Sequence, residues 1–76
     1  MTADDLHELI VRTLARKSGG SARRWRMAVG PIYIHDMRTH AHCNWSVRPS
    51  GAIDEVAAIE TLLDSMRLDH PMVTAD

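Results

Sequence analysis

The chain has 76 residues, 45% apolar and 25% charged, with a formal net charge of −1. That length allows one small domain, and that balance excludes an intrinsically disordered chain. A lone cysteine, Cys43, excludes an intramolecular disulfide, and the run Met27 to Ile34, broken by Gly30-Pro31, falls far short of a membrane span.

The opening Met1-Thr2-Ala3-Asp4-Asp5 carries no basic, apolar leader, so a cytoplasmic location is expected. A chain this short buries only about 60% of its unfolded surface. A single core of this size rarely supplies more than roughly 3–5 kcal/mol. A homodimer is the expected remedy, with a metal ion as the alternative staple.

Residues 3–17 are predicted to form a helix. Thr2 suits the N-cap and Asp5 stands three residues on. Leu6, Leu9, Ile10 and Leu14 make one apolar stripe, and Gly19-Gly20 ends it. Residues 23–29 alternate, with Trp25, Met27 and Val29 facing in and Arg24, Arg26 and Ala28 facing out, which predicts a strand. Gly30-Pro31 then reads as a turn or a bulge.

Residues 32–37 and 41–48 continue the β pattern, with a turn between them. In the second, Cys43, Trp45 and Val47 point inward; His42, Asn44, Ser46 and Arg48 point outward. A final helix is predicted over residues 52–69, capped by Ser50 or Gly51. Its stripe is Ile53, Val56, Ile59, Leu62, Leu63 and Met66, extended by Leu68, and His70-Pro71 stops it. Residues 70–76 are expected to be a tail, loose from Val73 on. The expected fold is a two-layer α+β sandwich: helix, two or three antiparallel strands, helix, with both helices on one sheet face.

Charge is segregated along the chain. From Arg12 to Arg48 there are eight basic residues and one acid, Asp36; the remainder holds nine acids and one base, Arg67. Such asymmetry suggests an anionic partner for the basic part. The candidate ligand face is the open side of the sheet: Arg24, Arg26, Tyr33, His35, His42, Asn44 and Arg48. Arginines and planar groups there can hold phosphates and stack bases. The competing reading pairs those arginines with acids of the helices or of a second subunit.

His35, Asp36, His40, His42 and Cys43 put five possible ligands within nine residues. His40 and His42, two apart on a strand, would face one way. With His35 they form a candidate zinc set, although the spacing matches no strong metal motif. The same imidazoles with a nearby arginine could support ribonuclease chemistry, one as base and one as acid. No phosphate loop, nucleophile elbow or dinucleotide fingerprint is present, so a non-enzymatic binding protein without a cofactor is expected, its open sheet face taking a protein partner, an acidic ligand or nucleic acid.

The length and the helix–strands–helix order resemble the double-stranded RNA-binding domain. The resemblance covers topology and little sequence. In that family a Lys-rich segment opening the second helix grips phosphates, and here that place reads Ser50-Gly51-Ala52-Ile53-Asp54-Glu55. Its acids repel phosphate, which denies membership and moves any nucleic-acid contact to the open sheet face.

Overall fold

The first helix, α1 (Ala3–Ser18), starts where its cap predicts. Thr2 Oγ1 accepts the Asp5 N–H at 3.1 Å, and Asp5 returns a carboxylate oxygen to the Thr2 N–H. Gly19 closes it with φ 76°, and a Cβ there would meet no atom, so the requirement is conformational rather than steric. The structure is a computed structural model and describes residues 1–75.

The largest departure from expectation follows at once. Residues 22–29 form a helix, α2 (Ala22–Val29), and not a strand. Trp25 and Val29 satisfy a two-residue period, but Trp25, Ala28 and Val29 also satisfy a helical one, and the helical set is the one buried. Local chemistry favours it too. Ser21 Oγ accepts the Arg24 N–H at 3.1 Å, a cap that contributes about 1 kcal/mol. Gly30 (φ 68°) takes the C-cap, and Pro31 follows it. Gly30-Pro31 is therefore a helix stop rather than a bulge. Met27, expected inside, is 66% exposed, and Ala28, expected outside, is buried.

The sheet is short. Strand β1 (Tyr33–Ile34) pairs antiparallel with β2 (Trp45–Ser46), Tyr33 opposite Ser46 and Ile34 opposite Trp45. The expected strands over 32–37 and 41–48 keep only these cores, because Asp36 turns the chain: its carbonyl accepts from the Thr39 and His40 amides. The last helix, α3 (Ile53–Asp69), is capped at Ala52, not at Ser50 or Gly51, with Glu55 Oε1 accepting the Ala52 N–H at 2.9 Å. Ile59, Leu62, Leu63 and Met66 are its buried stripe. At 100° per residue Leu68 lies about 180° from Ile59, and it is 84% exposed; Ile53, also off the stripe, is 91% exposed.

The tail is not loose. Val73 is buried, and its N–H and C=O both bond the Asn44 side-chain amide, at 2.9 and 2.8 Å. The Asn44 N–H donates to the Pro71 carbonyl, and Thr74 pairs in parallel with Thr2, so the two ends of the chain lie side by side. Asp76 lies outside the described residues.

The product is a small α+β fold with helices flanking a two-stranded sheet. Leu6, Ile10 and Leu14 of α1, Trp25 and Val29 of α2, and the α3 stripe meet Trp45, Val47 and Val73 in one core. Each indole N–H is satisfied as its ring is buried, Trp25 by the Gly19 carbonyl and Trp45 by that of His70, both at 2.8 Å. With a helix between α1 and the hairpin, the double-stranded RNA-binding topology is not reproduced. No helix among the described residues is long and apolar enough to cross a membrane.

Candidate functional site

Strand alternation sorts only part of the hairpin as its sequence implies: Ile34, opposite Trp45, is 40% exposed, and Asn44 is buried. Trp45 and Val47 face the core, while Tyr33, His35, Ser46 and Arg48 share the outer side. On that side two planar pairs form. The Arg48 guanidinium carbon stands 4.5 Å from the Tyr33 ring centroid, within cation–π range. His35 and His40 stack with centroids 4.3 Å apart and planes inclined by 17°.

Hydrogen bonds fix the imidazole pair. His35 Nε2 lies 2.8 Å from Ser46 Oγ, diagonally across the pair, since Ser46 stands opposite Tyr33. Thr39 Oγ1 donates its one hydrogen to the Asp36 carbonyl at 3.0 Å. Its 2.9 Å contact with His40 Nδ1 therefore has the ring nitrogen donating, which leaves Nε2 of His40 as the outward atom. Asp36 accepts the Arg38 N–H at 2.8 Å and pairs with its guanidinium at 3.2 Å. Those two bonds, with His40 nearby, hold the Asp36 carboxyl below its ordinary range.

The other expected members of the face are elsewhere. Arg24 makes a two-pronged bond to Glu55, 2.9 and 2.7 Å, and Arg26 one to Glu8, both prongs at 3.0 Å. Because α2 is a helix, residues 24 and 26 point to opposite flanks, toward α3 and α1. The Arg24 fork, aided by the Ala52 N–H, lowers the Glu55 carboxyl to about 2. The Arg26 fork likewise lowers Glu8. These are the helix acids that the competing reading invoked. Asn44, expected outside, is turned inward as the clamp on Val73.

His42 is exposed and joins neither pair. The expected zinc trio of His35, His40 and His42 is not assembled, because Thr39 turns His40 onto His35. Among the described residues no three His, Cys, Asp or Glu side chains converge as a metal ion requires. Sequence reasoning set Ser46 on the outer face but gave it no role as the anchor of His35, and it named His40 as a metal ligand rather than as a stacking partner. The signal for Ser46 was its period-two relation to Arg48 in the strand.

Comparison with protein-family models, with curated proteins and with solved structures finds no match to this chain.

Proposed function

We propose that this protein is a non-enzymatic binding module, that its contact face is the outer side of the hairpin, and that the ligand is single-stranded nucleic acid. One observation carries the reading: Arg48 alone among the arginines without an acid partner in the described residues rests on a ring, that of Tyr33, whereas Arg24, Arg26, Arg38 and Arg67 are each paired with an acid and Arg12, Arg16 and Arg23 have neither acid nor ring. A guanidinium held over a ring keeps its charge for a phosphate and can offer its other side to a base. The exposed His40 ring, backed by His35, offers a second plane. Tyr33 and His35 are two positions apart on one strand, about 7 Å. Each base stacked in this way contributes about 1–3 kcal/mol.

Binding fits this geometry better than cleavage. Imidazoles stacked 4.3 Å apart leave no room for a phosphate between an acid and a base. Duplex backbone fits poorly as well, since α3 opens with Asp54 and Glu55 and the net charge of −1 provides no long-range attraction.

The test is fluorescence anisotropy with a labelled pyrimidine oligonucleotide and the full chain. Saturable binding at low salt is expected, with the logarithm of the affinity falling by about 1 to 2 per decade of salt, because few phosphates are held. Arg48→Ala should weaken it about tenfold, near 1.4 kcal/mol. No binding at low salt overturns the proposal. So does a mass of two chains in solution that falls to one in Arg48→Ala, which would give the face to a second copy.

A further inference from the structure

A cleft of about 500 Å³ runs between the C-terminal half of α1 and the middle of α3, apart from the hairpin. Leu14 and Leu62, both almost wholly buried, form its floor, and Ala57, Ala58 and Thr61 its α3 wall. It is open because neither helix offers a side chain that fills it. Where α1 earlier contributes Leu6 and Ile10 to the core, it now brings Thr13, Lys17 and Ser18. Its volume lies within the range of small-molecule sites.

Two hydroxyls of the lining are already spent. That of Thr13 donates to the Leu9 carbonyl at 2.7 Å and that of Ser65 to the Leu62 carbonyl at 3.0 Å. One charge remains, the Lys17 ammonium in the last turn of α1, which none of the ion pairs among the described residues includes. None of the α3 acids lines the cleft. A carboxylate beside Lys17 would therefore meet no like charge within it.

We propose that this cleft binds a straight-chain carboxylate, its alkyl chain over Leu14 and Leu62 and its head group at Lys17. An unbranched chain is favoured because the lining offers no aromatic ring to stack on and only small side chains, Ala57, Ala58 and Thr61, on the α3 wall. The head group alone would be held weakly, as exposed charge pairs are. The chain carries the affinity, with each buried methylene adding up to about fourfold.

Isothermal titration of the full chain with octanoate, decanoate and decanol, below micelle-forming concentrations, tests this. One saturable site is expected, tighter for decanoate than for octanoate. Lys17→Met should weaken decanoate about two- to fivefold and leave decanol unchanged. Ala58→Leu, which fills the cleft, should abolish binding of both while helical circular dichroism is retained; Ala57→Phe replaces it if that signal is lost. Absence of saturable binding overturns the proposal, and so does wild-type affinity in both the charge and the filling variants. A dimer that Ala58→Leu dissociates also overturns it, because a second copy would then cover the cleft.

Discussion

Helix α2 and the hairpin are both basic in sequence, and they differ in where that charge ends up. In α2, Arg24 and Arg26 are separated by one residue, which on a helix sends them to opposite flanks. Each meets a carboxylate there, Glu55 on α3 and Glu8 on α1. On the hairpin, Arg48 meets an aromatic ring instead. A guanidinium forked by a carboxylate is neutralised and held in place; one resting on a ring is held in place and still charged. The number of arginines in a segment thus says little about the field it presents, because the neutralising acids here come from 18 and 31 residues away.

Substitutions can break this contrast in order of expected effect. The largest belongs to the inner side of the hairpin. Asn44→Ala removes both partners of a buried main-chain pair at Val73, so unfolding stability should fall by about 2–4 kcal/mol. For a domain of this size that is a drop of at least about 8 °C in Tm. A thermal melt within 2–3 °C of wild type would show that the tail is not held through this amide.

Arg24→Ala should act on pH dependence and not on ligand binding. Glu55 has its folded-state value lowered from 4.5 to about 2, so its stabilising effect is complete above pH 4.5 and is lost as the pH falls toward 2. Removing Arg24, the largest cause of that shift, should flatten the acid limb of the stability curve over this window, read by denaturant titration at several pH values. Oligonucleotide affinity should stay within twofold of wild type, in contrast to the tenfold loss expected for Arg48→Ala. Equal losses from the two variants would erase the distinction between the segments.

The smallest effect tests the helical assignment itself. Met27 stands on the solvent side of α2, so Met27→Lys should change stability by no more than about 0.5 kcal/mol. As an inward-facing strand residue it would cost several times that amount. A loss above about 2 kcal/mol would restore the strand.

Much of this fold is legible in the residues. The Thr2–Asp5 cap, the stripe of α1 and the stop at Gly19 are local features, and α1 spans almost the predicted range. The core of α3 and the inward turn of Trp45 and Val47 follow from periodicity alone. Segment 22–29 was ambiguous because its apolar positions fit two periods; the cap at Ser21 and the Gly30-Pro31 stop were the local signals that favoured the helix. Of the expected binding face, Tyr33, His35 and Arg48 keep their side, since alternation fixes it. Arg24, Arg26 and Asn44 do not, since each is claimed by a residue distant in sequence.

The sequence by itself determined α1 with its caps, the buried stripe of α3 and the inward side of Trp45 and Val47, because those depend on neighbours within a few positions. Only the tertiary structure decided which charges are spent and which remain, that Asn44 fastens the tail, and that α1 and α3 leave a cleft between them. These outcomes depend on distances between segments that no local spacing encodes.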